Sequence, residues 1–129
     1  MRLACWNADG VGGRKLELDH FLGQYGIDIY ALNETHLRSG KAFQMANYVR
    51  HRTDRLTEGS GTAALVRRVI GHHALPVQGR KHLDATAIQV MLVSKPVKIL
   101  AVYLSPSRPL FILDLSALAA VFPSTWRVT

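Results

Sequence analysis

The chain has 129 residues, enough for one small domain and too few for two. Its hydrophobic fraction of 48% and charged fraction of 19% exclude disorder as the default. Its net charge of +7 favours a polyanionic partner, chiefly nucleic acid. No apolar run could cross a bilayer and no signal peptide is visible, so we expect a nuclear or cytoplasmic protein that is not secreted.

The order of apolar and polar segments predicts a mixed α/β domain. Apolar residues at helical spacing predict a helix over Arg14–Tyr25, and Gly26 is expected to end it. The predicted strands are Leu3–Trp6, Ile27–Leu32, Tyr48–Thr53, Gly61–Arg67, Ala85–Val93 and Val97–Leu104, of which the last two form an antiparallel hairpin. We expect a helical turn around Phe43, an irregular segment over Arg68–Leu83 and an almost wholly apolar helix over Leu110–Phe122.

Polar side chains follow the first two predicted strands. Asn7 and Asp9 come after the first strand, and Glu34 follows the second. Two parallel strands joined by a helix would gather these side chains at one edge of a sheet. Asn7 and Asp9 would also share a side if the strand geometry persisted. Carboxylate and amide oxygens are the ligands that Mg²⁺ prefers, whereas the alternative is that these residues form ordinary turns at strand ends.

A third motif makes the pattern specific. Trp6–Gly10, Asn33–Thr35 and Val102–Pro106, in this order and spacing, resemble the endonuclease/exonuclease/phosphatase superfamily. Within it, the chain resembles the endonuclease domains at the N-terminus of jockey-type non-LTR retrotransposon proteins, which are related to abasic-site endonucleases. The resemblance assigns residues 1–122 to a partial domain of this family and leaves residues 123–129 as a tail.

The resemblance implies the fold of the domain. We expect an α/β (α+β sandwich) architecture, namely the N-terminal half of a four-layer DNase I-like sandwich, with a mixed, mostly antiparallel sheet and flanking helices. The chain would supply about one sheet and its helices, so that sheet would expose an apolar face and promote self-association. In complete family members a reverse transcriptase domain follows in the same chain.

The resemblance also implies roles for individual residues. Asn7 would help to hold the metal and the scissile phosphate, Asp9 would contribute to the metal site, and Glu34 would be a ligand of Mg²⁺, with Mn²⁺ as an alternative. Tyr103 would contact the phosphate, so that Asn7, Asp9 and Tyr103 are the catalytic candidates. The basic residues expected to contact DNA phosphates are Arg38, Lys41, Arg67, Arg68 and Arg108.

Two motifs of the complete family do not occur in this sequence. They are a Gly-Asp-Xaa-Asn motif, whose aspartate helps to activate the water, and a Ser-Asp-His motif, whose histidine orients it. Because general-base help is worth roughly two to four orders of magnitude in rate, we expect no useful nuclease activity. Two other hypotheses stay open: a non-catalytic basic module that binds nucleic acid, and a phosphatase branch of the same superfamily that acts on small phosphate esters.

Overall fold

The computed structural model describes residues 1–38, 40–54, 61–77 and 83–104, together with positions 112 and 116. Within the four ranges the chain forms one helix and seven strands. In chain order they are β1 (Leu3–Asn7), α1 (Lys15–Tyr25), β2 (Ile29–Asn33), β3 (Tyr48–Thr53), β4 (Thr62–Arg67), β5 (His72–Leu75), β6 (Leu83–Leu92) and β7 (Lys95–Leu104). No helix in the described part of the chain is long and apolar enough to cross a membrane.

Four strands form the first sheet, in the order β1-β2-β4-β3. β1 and β2 run parallel, and β4 and β3 complete the sheet in antiparallel fashion. The helix α1 joins the parallel pair, which gives the predicted strand–helix–strand unit. The helix α1 is stabilised because Leu18 and Leu22, four residues apart, are both buried against the sheet. It ends at Gly26, whose left-handed conformation (φ 57°) lets its N–H donate to the Leu22 carbonyl.

The remaining strands form a second, fully antiparallel sheet in the order β5-β6-β7. β6 and β7 form the predicted hairpin. Its turn consists of Val93 and Ser94, whose positive φ angles of 45° and 67° are those of a two-residue type I′ turn. Such a turn matches the twist of antiparallel strands, so β7 already begins at Lys95.

The two sheets pack face to face, and each side of the first sheet carries its own apolar cluster. On one side, α1 and the loops after β1 and β2 cover residues such as Leu32 and Leu65. On the other side, Ile29 and Val66 of the first sheet pack against Ile88 of the second. The described layers are therefore helix, sheet and sheet, which confirms the predicted α/β sandwich.

The second sheet corrects two expectations. The expectation that the chain supplies about one sheet is wrong, because β5, β6 and β7 form a separate sheet that packs on the first. This second sheet covers the face that was expected to be exposed, since Ile29, Ala64 and Val66 are buried. Exposure on that side is found at the edge strand β1, where Leu3 is 52% exposed and Cys5 is also exposed. The apolar area that could drive self-association is thus smaller than expected.

Other segments also differ from the expected elements. The residues around Phe43 form no helical turn, and Phe43 and Met45 enter the core from an irregular loop instead. The segment that follows Arg68, expected to be irregular, contains β5. The apolar helix expected over Leu110–Phe122, apart from positions 112 and 116, and the tail of residues 123–129 lie outside the described residues.

A histidine pair joins the two sheets. His51 on β3 and His72 on β5 hold their Nε2 atoms 2.8 Å apart. His72 Nδ1 lies 2.9 Å from the Ile70 carbonyl, and a carbonyl can only accept, so Nδ1 carries the proton of the neutral ring. His51 then donates to His72 Nε2. Burial, and to a smaller extent the electrostatic effect of His72, lower the pKa of His51, so protonation of His51 is disfavoured in the folded chain.

Candidate active site

The candidate site lies at the edge of the first sheet where β1 and β2 end. Asn7 and Asn33, the last residues of these strands, are neighbours in register. The two chains stay paired beyond the strands, because the N–H groups of Ala8 and Gly10 donate to the carbonyls of Asn33 and Glu34 at 2.9 and 2.8 Å. The parallel strands therefore deliver both predicted motifs to one place, and backbone hydrogen bonds fix them there.

The backbone at this edge is strained. Asp9, Glu34 and His36 have φ angles of 46°, 52° and 55°, in the left-handed region that side chains with a Cβ rarely adopt. Each such residue costs on the order of 1 kcal/mol, and strain of this kind concentrates at functional sites. The extended geometry that would have put Asn7 and Asp9 on one side ends at Asn7. The Asp9 side chain is 76% exposed, and its Oδ1 lies 3.7 Å from His36 Nε2.

A hydrogen bond between the sheets brings in the third motif. Tyr103, near the end of β7, donates from its hydroxyl to Glu34 Oε1 at 3.1 Å. The two residues are 69 positions apart in sequence, and they meet because β7 packs across β2. The bond holds one oxygen of the Glu34 carboxylate and leaves the other, Oε2, as a candidate ligand for a cation. Asn7, Glu34 and Tyr103 are therefore gathered at one edge of the sandwich.

Sequence reasoning missed an aspartate that supports this edge. Asp84 on β6 is 1% exposed, and its Oδ2 accepts the Gly61 N–H at 3.1 Å. The Gly61 carbonyl in turn accepts the N–H of Thr35, the residue after Glu34, at 3.2 Å. Asp84 is also the register partner of Tyr103. A lone aspartate at the start of an apolar strand was the available signal, but its meaning depends on contacts that are distant in sequence.

Gly61 connects Asp84 to Thr35 through its backbone and cannot be replaced by a larger residue without a clash. Its φ is +107°, and a Cβ at this position would lie 2.5 Å from Thr35 Oγ1. Real Cβ atoms essentially never approach so closely. Only glycine therefore fits between Asp84 and Thr35 without displacing the segment that carries Glu34.

The residues at the edge fit a hard cation in part. The Oδ1 of Asn33, the residue before Glu34, is buried and has no hydrogen-bond partner among the described residues. With the carboxylate of Glu34 and the amide of Asn7, this makes an all-oxygen donor set of the type that Mg²⁺ accepts, with water completing its coordination. Among the described residues no group of three or more His, Cys, Asp or Glu side chains could hold a metal. One carboxylate and amide oxygens are thus the donors that this part of the chain offers.

Two of the predicted basic residues lie beside this edge. The Lys41 Nζ lies so close to Gly12, in the loop after β1, that a Cβ there would be 2.9 Å from it. Arg38 follows the loop that carries Glu34, and both basic side chains are exposed. They are placed to interact with an anion that approaches the end of β1 and β2.

The other predicted basic residues are not part of this cluster. Arg67 is the last residue of β4, about 17 Å along the strand from its Glu34 end at roughly 3.3 Å per residue, and Arg68 follows it. Arg67 Nη1 lies 3.4 Å from Asp28 Oδ1, so this guanidinium pairs within the fold. Arg108 lies outside the described residues.

The sequence is similar to proteins of Drosophila mobile elements, although no family model matches it. It is 28% identical over 110 residues to the probable RNA-directed DNA polymerase from transposon X-element of Drosophila melanogaster. It is 24% identical over 122 residues and 26% over 123 residues to the RNA-directed DNA polymerases from mobile element jockey of D. melanogaster and D. funebris. These matches cover 82%, 93% and 94% of the chain but 12%, 13% and 13% of the relatives, so the chain spans about one-eighth of their length.

Two solved structures share the fold. The 3′ phosphatase NExo from Neisseria, in complex with a product DNA hairpin, gives a TM-score of 0.55 at 20% identity over 76% of this chain and 40% of that chain. Humanized TDP2 from D. rerio gives 0.54 at 17% identity over 92% of this chain and 56% of that chain. The likeness at these identities concerns the fold. The chain therefore has a DNase I-like α/β-sandwich fold, and its sequence is similar to part of the X-element and jockey retrotransposon polymerases.

Proposed function

We propose that the chain is part of a jockey-type retrotransposon endonuclease domain that binds DNA and Mg²⁺ at the Glu34 edge but does not cleave DNA by itself. The observation that carries this proposal is the Tyr103–Glu34 hydrogen bond, which joins motifs from two sheets at the end of the parallel strands. Strand ends of this kind are where α/β proteins place their ligands.

The side chains at this edge have complementary roles in the proposal. Glu34 would hold the cation through the carboxylate oxygen that Tyr103 does not engage, and the orphaned Asn33 Oδ1 and Asn7 offer further oxygens. When bound, Mg²⁺ would polarise a phosphoryl oxygen and, in a site that cleaves DNA, would stabilise the leaving 3′ oxygen. The amide N–H groups of Asn7 would donate to phosphate oxygens in fixed positions. The Tyr103 hydroxyl carries a single proton, so it would donate to a phosphate oxygen only after giving up its hydrogen bond to Glu34. Mn²⁺, which also accepts oxygen ligands, would be able to replace Mg²⁺.

The absence of cleavage follows from the motifs that the sequence lacks. No Gly-Asp-Xaa-Asn or Ser-Asp-His segment is present to activate and orient the attacking water. At the described edge, His36 Nε2 lies 3.7 Å from Asp9 Oδ1, but His36 belongs to neither of these motifs. A site without a general base loses roughly two to four orders of magnitude in rate.

A non-catalytic nucleic-acid-binding module is the second candidate. It is favoured by the net charge of +7 and by the two exposed basic residues, Arg38 and Lys41, beside the edge. In this case DNA binding would depend on the basic residues alone. Addition of Mg²⁺ would not strengthen it, since the cation would act as a competing counterion.

The test is DNA binding with and without Mg²⁺, combined with a nicking assay on supercoiled and abasic-site DNA. We expect Mg²⁺ to raise the affinity for DNA in the unmutated chain and not in Glu34→Gln, which keeps the size of the side chain and an acceptor for Tyr103. Glu17→Gln on the exposed face of α1 (side chain 68% exposed) removes the same charge and should behave like the unmutated chain. Nicking that Glu34→Gln abolishes would contradict the inactivity, and Mg²⁺-independent binding would favour the second candidate.

A further inference from the structure

One arginine of the first sheet holds the basic loop, defined as Arg38, Gly40 and Lys41. The guanidinium of Arg52 on β3 donates from Nη1 to the Lys41 carbonyl at 2.6 Å and from Nη2 to the Arg38 carbonyl at 3.0 Å. The Lys41 N–H also donates to the Arg38 carbonyl at 3.1 Å, which closes the loop as a turn. A single side chain thus fixes both basic residues of the loop through their backbone.

Asp54 orients this guanidinium. Arg52 Nε donates to its two carboxylate oxygens at 2.9 and 3.0 Å, and Nη2 donates to Oδ2 at 2.7 Å. Both side chains are 16% exposed, so the pair is shielded from solvent. The N–H groups of a guanidinium form a rigid planar fork, so once the carboxylate holds one side, the remaining groups face the loop. A lysine carries the same charge but has only three N–H donors and no planar fork, so it could not hold both carbonyls and both carboxylate oxygens.

The basic loop is anchored on both flanks and lies beside the candidate site. Leu37 before it and Phe43 after it are buried in the core. The Lys41 side chain reaches the loop after β1 at Gly12, next to the Glu34 edge. The shielding of Arg52 and its pairing with Asp54 remove this side chain from direct contact with a ligand at the surface.

We propose that Arg52, oriented by Asp54, is a positioning residue that sets Arg38 and Lys41 against the phosphate backbone of DNA bound at the Glu34 edge. The inference rests on the proposed function, since it concerns how the same site binds DNA. Arg52 acts through the carbonyls of the basic loop, so its effect on DNA requires the side chains of Arg38 and Lys41.

The experiment measures the affinity for a short DNA duplex as a function of salt concentration, in the unmutated chain and in Arg52→Lys. The substitution keeps the net charge, so a loss reflects the loop and not the overall field. Each phosphate contact contributes about 0.9 to the slope of log K against log salt, so losing two contacts lowers the slope by about 1.8. At about 0.1 M salt this corresponds to a loss of affinity of up to roughly 60-fold. Arg50→Lys, an exposed arginine on the same face of β3, is the matched control and should change neither value.

A double-mutant comparison separates positioning from a direct or a merely structural role. In an Arg38→Ala/Lys41→Ala background, Arg52→Lys should have no further effect on the salt slope, because the residues it positions are gone. An equal effect in both backgrounds would overturn the proposal, as would an unchanged slope in Arg52→Lys while the unmutated chain binds DNA. If Arg52→Lys does not fold, Asp54→Asn takes its place. No salt-dependent binding by the unmutated chain would overturn the proposed function together with this inference.

Discussion

Replacing Gly61 by alanine tests whether the support beneath Glu34 is as tight as the structure indicates. The new Cβ would lie 2.5 Å from Thr35 Oγ1, in a residue that is 1% exposed and has little room to move. The backbone angle of φ +107° adds strain for any residue other than glycine. Strain of this kind costs about 1–3 kcal/mol, and overpacking a close-packed site costs a similar amount, also about 1–3 kcal/mol.

We therefore expect Gly61→Ala to lower the free energy of unfolding by about 3 kcal/mol. For a domain of this size the melting temperature should fall by roughly 10 °C. Urea denaturation and thermal unfolding followed by circular dichroism measure both quantities. Gly71→Ala is the control, since a Cβ there meets nothing within 4 Å, and it should be neutral or slightly stabilising.

A second substitution separates the energetic cost of the backbone angle at position 61 from the cost of the contact between the new Cβ and Thr35 Oγ1. Thr35→Ala removes the Oγ1 atom that the new Cβ would meet, so the double variant Gly61→Ala/Thr35→Ala should be more stable than the sum of the two single changes predicts. The remaining cost would be the backbone strain. A Gly61→Ala variant that loses less than about 0.5 kcal/mol, or strictly additive effects, would refute the argument that this segment is held by close packing.

Two further predictions concern the contacts between the sheets. The pKa of His51 in the folded chain lies below its unfolded value of about 6.5, so the unfolded chain binds this proton more readily. The free energy of unfolding therefore keeps its full value above pH 6.5 and declines as the pH falls below it. The melting temperature should therefore drop from pH 7.5 to 5.5 by more in the unmutated chain than in His51→Gln. Equal drops in the two proteins would show that His51 does not contribute to the pH dependence in this range. Tyr103→Phe removes the donor to the Glu34 carboxylate and should lower the free energy of unfolding, measured by urea denaturation, by about 1 kcal/mol. Tyr25→Phe, at a residue that is 47% exposed, should change it very little. Equal effects of the two substitutions would mean that the hydrogen bond to Glu34 contributes no stability.

Several features of the fold follow from local sequence. The helix is predictable because Leu18 and Leu22 lie one turn apart and Gly26 can adopt the left-handed angle that ends a helix. The hairpin of β6 and β7 is predictable because two strand-forming runs are separated by a very short link. These features depend on residues within one turn or one link of each other, so periodicity and spacing carry the information.

Part of the candidate site is predictable for a related reason. Asn7 is the last residue of β1 and Glu34 comes directly after β2, and a strand–helix–strand unit brings such strand ends together. The proximity of Tyr103 to Glu34 came from the resemblance to a family and not from spacing. It exists because a second sheet packs across the first, over a separation of 69 residues.

Tertiary structure alone decided which polar residues lie together at the candidate site. Arg67 and Lys41 are both basic residues, but the direction of β4 places Arg67 at the far end of the sheet and the loop after β2 places Lys41 beside Gly12. Asp84 and Arg52 acquire their roles only from partners far along the chain, the Gly61 amide and the carbonyls of the basic loop. The sequence by itself determined the helix, the strands other than β5 and the motifs at their ends, because these depend on local conformational preference. The packing of one sheet on the other determined which side chains meet, because that depends on the burial of both apolar faces at once.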